Sequence, residues 1–223
     1  MTGRRAPEVL PPELRGWLGL IACLATLVVA VVGVMYAGHT QPGRVDRWFV
    51  QPTDDSVGPL WRPLALAIDF LGEPAGAAVL VVAAVAGCLL LRRPRAAVLV
   101  VAGVVTAVGA TTLIKSLAGR TIHDGNLSYP SGHTAFLTAL ALMAALCATV
   151  RLGLGRTAGV LLVLGAALVA GAAMGWAQVA LGAHYPTDIL GGWCTALAVT
   201  PATAWLVDRV ADRRSDGARP ERR

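Results

Sequence analysis

Six long apolar blocks decide what this chain can fold into. They run over Trp17–Tyr36, Pro74–Leu91, Ala96–Ile114, His133–Val150, Thr157–Leu181 and Ile189–Val207. A helix needs about 20 apolar residues to cross a bilayer, and each block is close to that length. The 223 residues are 56% hydrophobic and 14% charged, with a mean hydropathy of +0.64. This composition predicts an integral membrane protein.

The blocks show no barrel-like alternation and no regular turn spacing. Backbone groups in lipid must be hydrogen-bonded within their own segment, so we expect helices. Arginines precede the first block as in a signal peptide, but its apolar run is too long and no small-residue cleavage site follows. Gly171 and Gly175 offer a face for close helix approach, and Pro201 marks a tolerable kink. The predicted fold is an all-α bundle of six transmembrane helices.

The distribution of basic residues predicts the orientation. With a cytoplasmic N-terminus, 14 of the 19 Lys and Arg lie inside. The positive-inside bias therefore places both termini in the cytoplasm and the loops after the third and fifth blocks outside. Residues 1–15 are then a cytoplasmic segment, residues 16–208 the membrane domain, and residues 209–223 a basic, disordered tail. The basic residues are almost all arginines, which favours a bacterial source. The protein is then expected in the bacterial cell membrane.

The membrane topology also accounts for the basic residues that give the net charge of +6, because they lie between the apolar blocks and in the tail. No nucleic-acid partner is therefore expected. The first outside loop runs from His39 to Glu73 and contains Leu60, Leu64 and Ile68 at a spacing of four. This spacing predicts a helix in the membrane interface, with a packing turn under the bundle as an equal alternative. Asp54-Asp55 in the same loop is only a weak indication of a magnesium site.

Polar residues collect at the outer ends of the blocks. The third block is followed by Lys115, Arg120, His123 and Asp124, and the fourth opens with Pro130-Ser131-Gly132-His133. The sixth is preceded by "GAHYPTD", from Gly182 to Asp188. Two cations, up to three histidines and an aspartate are therefore expected at one membrane level.

These residue types fit an anion site with a nucleophile and an acid. Ser131 is placed as an N-cap, and Gly132 allows a ligand to approach the first helical turn, where free N–H groups attract anions. Asp188 lies four residues after His184 and can orient that ring, leaving its other nitrogen as a nucleophile. His133 can protonate a leaving oxygen.

Plainer interpretations exist for each residue. Pro-Ser-Gly is an ordinary helix start, and Lys115 at a span end can simply extend to the interface. His123 fits a loop histidine, and Tyr129 and Tyr185 fit interfacial aromatic residues. These interpretations do not explain why all of the features lie on one face.

The motifs resemble the type 2 phosphatidic acid phosphatase superfamily of membrane lipid phosphatases, which is related to vanadium haloperoxidases. The resemblance covers roughly Pro74 to Val207 and rests on Lys115, on Pro130-Ser131-Gly132-His133, and on His184 with Asp188. It implies that His184 attacks phosphorus to form a phosphohistidine and that His133 protonates the departing alcohol. It also implies that neither metal nor cofactor is required.

Two positions depart from the family pattern. The first-motif arginine and the proline after it are replaced by Ile122 and His123, and Arg120 is a candidate substitute. The arginine expected six residues before His184 is Gln178, which can still donate a neutral hydrogen bond. The predicted phosphate-binding residues are Lys115, Arg120, Ser131, Gly132 and Gln178.

The leading hypothesis is a metal-independent phosphatase for a lipid phosphate or diphosphate, of the phosphatidate, phosphatidylglycerophosphate or polyprenyl diphosphate type, with its site outside the cytoplasm. One alternative is a transferase that passes the phosphoryl or headgroup unit to an acceptor other than water. The other is a degenerate member that binds lipid phosphates without turnover. The sequence identifies neither the lipid nor the oligomeric state.

Overall fold

The computed structural model describes residues 7–56, 58–123 and 125–217, in which the regular secondary structure is helical apart from one short hairpin. The helices are α1 Pro12–Met35, α2 Arg44–Ser56, α3 Arg62–Phe70, α4 Pro74–Leu90, α5 Pro94–Ala118, α6 Gly132–Leu152, α7 Arg156–Ala180 and α8 Pro186–Gly217. Strands β1 (Thr121–Ile122) and β2 (Asn126–Leu127) pair antiparallel between α5 and α6. The all-α prediction is thus confirmed.

Local sequence explains where the long helices begin and end. Prolines in the first turn start α1, α4 and α5, because their missing N–H groups would lack partners there anyway. Gly119 and Gly153 end α5 and α6 with φ of 59° and 61°, in the left-handed region that glycine adopts without strain.

Five helices are long and apolar enough to cross a membrane: α1, α5, α6, α7 and most of α8. A sixth span results if α3 and α4 are counted together across their 58° bend. The multi-pass prediction is therefore confirmed, with α4 at the predicted block Pro74–Leu91. The residues predicted to form an interfacial helix form α3, whose position relative to a bilayer remains a prediction.

Helix α6 lies centrally, packed against α5, α7 and α8, while α1 packs along α8. Gly171 and Gly175 face α8, where added Cβ atoms would overlap Trp193 and Ile189, respectively. This close approach confirms the expected small-residue face. Large apolar side chains on the outer faces of α1, α4, α5 and α7 stay exposed, as expected for surfaces that contact lipid.

Both ends of the described chain meet at one end of the bundle. The Asp208 carboxylate accepts hydrogen bonds from the backbone N–H groups of Val9 and Leu10, and Arg95 pairs with Asp212 at 2.9 Å. Helix α8 consequently continues to Gly217, whereas a disordered tail was expected from residue 209. The outer parts of the predicted terminal segments, residues 1–6 and 218–223, lie outside the described residues.

Candidate functional site

The start of α6 and the start of α8 are packed directly together. The Ser131 backbone N–H donates to the Asp188 carbonyl at 2.9 Å. Gly192 makes this approach possible, because a Cβ there would overlap the Ser131 carbonyl. Gly191 similarly leaves room for the Tyr129 ring. The two sequence motifs, separated by about fifty residues, therefore form one structural unit.

Ser131 caps α6, as predicted: its side-chain oxygen accepts from the Thr134 backbone N–H at 3.3 Å. A Cβ at Gly132 would meet only Thr111 Oγ1, at 3.8 Å, so the space beside the first turn is open. Tyr129 was expected at the interface, but it is fully buried and donates to the Val29 carbonyl at 2.7 Å. This hydrogen bond ties the segment before the motif to α1.

His184 lies in the turn before α8, with Nδ1 3.6 Å from Asp188 Oδ2. Both side chains are buried. Burial lowers the pKa of His184 below its ordinary value of 6.5, against the opposing influence of Asp188. The backbone N–H of Tyr185 donates to the same Asp188 oxygen at 3.0 Å and helps to fix the carboxylate. At 3.6 Å the Asp188 carboxylate is a close neighbour of Nδ1 and not a hydrogen-bond partner, and burial favours the neutral form of the ring.

His133 lies in the first turn of α6, facing the turn between α3 and α4. Its Nε2 is 3.8 Å from Asp69 Oδ1 and 3.5 Å from Glu73 Oε1. It also lies close enough to His184 to contribute to the lowered pKa of that residue. Because Ser131 hydrogen-bonds to Asp188, the helix starts that carry the two predicted histidines meet at the same end of the bundle.

Arg120 does not occupy the position that sequence reasoning gave it. Its guanidinium is fully buried and donates to Asp46, Asp188 and Thr187 at 2.7, 2.7 and 2.6 Å. The rings of Tyr36 and Tyr185 stack against it at 4.4 and 4.8 Å. With two carboxylates as partners, Arg120 supports the site and is not presented to a phosphate, which corrects the expected role.

Lys115 reaches the expected region from the last turn of α5. Its ammonium donates to the backbone carbonyls of Leu127 and Ser128 at 2.8 and 3.2 Å. These carbonyls directly precede the Pro130-Ser131-Gly132-His133 motif, so Lys115 anchors the approach to it. An ammonium has three donors, and these two hydrogen bonds leave one for an anion.

Gln178 is buried near the end of α7, where its side-chain amide donates to Asp69 Oδ1. Its backbone carbonyl accepts from the N–H groups of Ala183 and His184 at 2.9 and 3.3 Å. The amide therefore contacts a carboxylate in this structure, while its backbone fixes the segment that carries His184.

Sequence reasoning missed the acidic residues that surround the motifs. Asp46 is fully buried in α2 and accepts from the backbone N–H and hydroxyl of Thr187 at 3.0 and 2.8 Å. Those two hydrogen bonds, with others from Gly43 and Arg120, outweigh the effect of burial and lower the pKa of Asp46. Neither Asp46 nor Asp69 has a motif-like spacing to the histidines, so the sequence carried no signal for them.

A cavity of about 570 Å³ opens beside His184, between the α7–α8 turn, the hairpin and the segment before α2. His123, expected as a loop residue, lines it and contacts the Gly182 carbonyl at 3.0 Å. Among the described residues, Asp69, Glu73 and His133 place three ligand atoms within 4.8 Å of one another, as a metal site would require. Asp124 and the side chains of Asp54 and Asp55 lie outside the described part.

The fold and these residues define a multi-pass helical membrane protein with a two-histidine site at one end of the bundle. Residues 111–212, which contain the sequence motifs, match the family model of the PAP2 superfamily, the family that those motifs predicted. The fold is similar to the "first transmembrane PAP2 type phosphatidylglycerolphosphate phosphatase from Bacillus subtilis", with a TM-score of 0.65 and 18% identity over 90% of this chain and 98% of that one. No curated protein matches the chain significantly.

Proposed function

We propose that the chain is a phosphatase that hydrolyses a lipid phosphate or diphosphate at the extracytoplasmic face of the cell membrane. The match of residues 111–212 to the PAP2 superfamily model and the likeness to a membrane PAP2-type phosphatase support this class of reaction. The observation that carries the proposal is the buried pair of His184 and Asp188, with His133 beside it. A neutral, oriented imidazole next to a second imidazole is suited to covalent phosphoryl transfer.

In the first step His184 acts as the nucleophile. Asp188 faces Nδ1, so Nε2 carries the free electron pair that attacks phosphorus. A P–N bond forms while the bond between phosphorus and the lipid oxygen breaks. His133 donates its proton to that departing oxygen, which leaves as an alcohol, or as a lipid phosphate if the substrate is a diphosphate.

In the second step the phosphohistidine is hydrolysed. His133, now neutral, accepts a proton from water as the water oxygen attacks phosphorus. The P–N bond breaks, inorganic phosphate leaves, and both imidazoles return to their starting states. The residues that we propose for this cycle supply a nucleophile, an acid and a base, so no metal or cofactor takes part.

The phosphate oxygens are proposed to lie at the first turn of α6. Free backbone N–H groups there, beyond the one that Ser131 satisfies, favour an anion. Gly132 leaves room for it, and Lys115 has a donor available. With Arg120 engaged by carboxylates, this pocket has fewer free cations than the family pattern implies, which favours a phosphate of low charge.

Phosphate release in detergent, with a chelator present, tests the proposal. The substrates are phosphatidate, phosphatidylglycerophosphate and polyprenyl phosphates and diphosphates, in line with the phosphatidylglycerolphosphate named for the similar structure. We expect turnover of at least one of them and none above background by His184→Ala. Equal turnover by His184→Ala would exclude the histidine mechanism.

The same preparation distinguishes the alternatives. A labelled acceptor that appears in the product would favour a transferase. A site with few cations suits the less charged diester substrate of such an enzyme. Headgroup binding without a trapped phosphohistidine would favour a non-catalytic member. The replacement of two family arginines, by Ile122 and Gln178, is the feature that motivates both alternatives.

A further inference from the structure

We propose that Asp69 and Glu73 are positioning residues for His133: they hold its Nε2–H, so that Nδ1 delivers the proton to the leaving oxygen. This inference rests on the proposed function and adds two carboxylates to it. Asp69 lies in the last turn of α3 and Glu73 directly precedes α4, and both are outside residues 111–212 that match the family model.

The first observation is the surroundings of His133 Nε2. This atom is buried and has no hydrogen-bond partner, although two carboxylate oxygens lie 3.5 and 3.8 Å away. A buried polar atom without a partner is costly, and catalytic hydrogen bonds often shorten when substrate binds. Asp69 and Glu73 are the acceptors that Nε2–H can reach by a small movement.

The second observation is the orientation of the ring. A Cβ at Gly72 would overlap Cδ2 of His133, so the backbone at Gly72 packs against the edge of the ring that contains Cδ2. Nδ1 belongs to the opposite edge. The α3–α4 turn therefore covers Cδ2 and Nε2 and leaves Nδ1 on the side facing away from it.

The third observation is that Asp69 is itself fixed. The Gln178 side-chain amide donates to Asp69 Oδ1, and the Gln178 carbonyl accepts from the His184 backbone N–H at 3.3 Å. One residue thus connects the carboxylate beside the proposed acid to the backbone of the proposed nucleophile. The position where the family pattern has a phosphate-binding arginine holds an amide that positions a carboxylate instead.

The proton balance is complete with these residues. The doubly protonated ring of His133 holds one proton on Nε2, shared with the carboxylates, and one on Nδ1. Loss of the Nδ1 proton to the leaving oxygen gives the neutral tautomer with Nε2–H, still held by Asp69 and Glu73. Nδ1 then carries the free electron pair that accepts a proton from the attacking water.

The test compares leaving groups. A lipid phosphate releases a poor alkoxide leaving group and needs the acid, whereas p-nitrophenyl phosphate releases a stable phenolate and needs it little. For Asp69→Asn, Glu73→Gln and the double variant, we expect the single-turnover release of the alcohol from the lipid phosphate, which reports the first step alone, to slow by roughly 10–100-fold, a part of the 10²–10⁴-fold typical of general acid catalysis. The single-turnover release of p-nitrophenolate should slow far less. The second step, in which His133 is the base, is common to both substrates and does not enter either measurement.

Controls separate positioning from folding. His133→Ala should show the same dependence on the leaving group, and Glu13→Gln, an exposed acid at the start of α1, should leave both activities unchanged. Glu73→Asp should release the alcohol faster than Glu73→Gln in a single turnover, because it keeps a carboxylate. Thermal unfolding in detergent reports whether Asp69→Asn, which keeps an acceptor for Gln178, is folded.

Equal losses in the single-turnover release of the two leaving groups would overturn the assignment of Asp69 and Glu73. So would activity that a chelator abolishes and a divalent cation restores, because the carboxylates would then be metal ligands together with His133. Failure of the unchanged chain to release phosphate from either substrate would overturn the proposed function itself. The two failures are therefore distinguishable.

Discussion

Arg120 donates a hydrogen bond to Asp188 Oδ1 at 2.7 Å, while the other oxygen of that carboxylate faces His184. The second end of the guanidinium donates to Asp46, which is also fully buried. The carboxylate beside His184 thus belongs to a desolvated network of one cation and two anions. This network joins the loop after α5 to α2 and α8.

Arg120→Ala should destabilise the protein strongly. Removing one partner from a buried ion pair leaves uncompensated charge and typically costs about 3–5 kcal/mol. We expect a large loss in the free energy of unfolding and a lower Tm in detergent. Arg120→Lys should rescue little, because one ammonium cannot reproduce the two ends of a guanidinium fork.

Arg156→Ala is the matched control, since Arg156 is exposed at the start of α7. Its Tm should stay near that of the unchanged chain. If Arg120→Ala kept its Tm and only raised KM, Arg120 would be a phosphate ligand after all and the structural role would be wrong.

The sequence predicted the spans well because bilayer thickness dictates their length. Helix α7, at Arg156–Ala180, differs from the predicted Thr157–Leu181 by one residue at each end. The cap at Ser131 was also predictable, because N-capping depends on neighbouring residues alone. Both signals are local.

The acidic surroundings of the site were not predictable for the opposite reason. Gln178 and Asp69 are 109 residues apart in the chain, and Asp46 and Thr187 are 141 apart. No periodicity or motif spacing records which loop folds over which helix end. Arg120 was misassigned for the same reason, since nothing local to it indicates that two carboxylates enclose it.

Activity should depend on pH in the way that the lowered pKa of His184 requires. Burial disfavours the charged ring, so the neutral nucleophile persists below the ordinary histidine pKa of about 6.5. On lowering the pH, kcat/KM should therefore reach half of its maximum below pH 6.5. A midpoint above that value would contradict the assignment of a buried, neutral nucleophile.

Asp188→Asn sharpens this measurement. Asp188 raises the pKa of His184 against the effect of burial, so its neutralisation should move the acid limb to still lower pH. The maximum of kcat should fall at the same time, because the carboxylate that orients Nδ1 is lost. An acid limb that stays in place would assign it to a group other than His184.

Lys115→Ala should impair activity more than removal of an arginine in the C-terminal segment. The ammonium holds two carbonyls just before the motif, and hydrogen bonds to charged groups contribute about 1.5–3 kcal/mol each. Loss of one such interaction in the transition state corresponds to roughly tenfold or more in kcat/KM.

Arg213→Ala is the comparison for Lys115→Ala, because Arg213 is exposed near the end of α8. Steady-state phosphate release by both variants decides the matter. Equal activities would mean that Lys115 only anchors the end of α5 at the membrane interface.

Gly132→Ala tests whether the phosphate lies against the first turn of α6. The fold has room for the methyl group, whose nearest neighbour would be Thr111 Oγ1 at 3.8 Å. Stability should therefore change by less than about 1 kcal/mol, the usual size of a glycine-to-alanine effect in a helix. A phosphate bound at the N–H groups of that turn would nevertheless meet the methyl, so KM should rise and kcat/KM should fall by roughly tenfold or more.

Gly87→Ala in α4, where a Cβ would meet nothing within 4 Å, should leave both constants unchanged. Identical kinetics for the two variants would place the phosphate away from the α6 N-terminus, because the methyl at position 132 would then project into empty space.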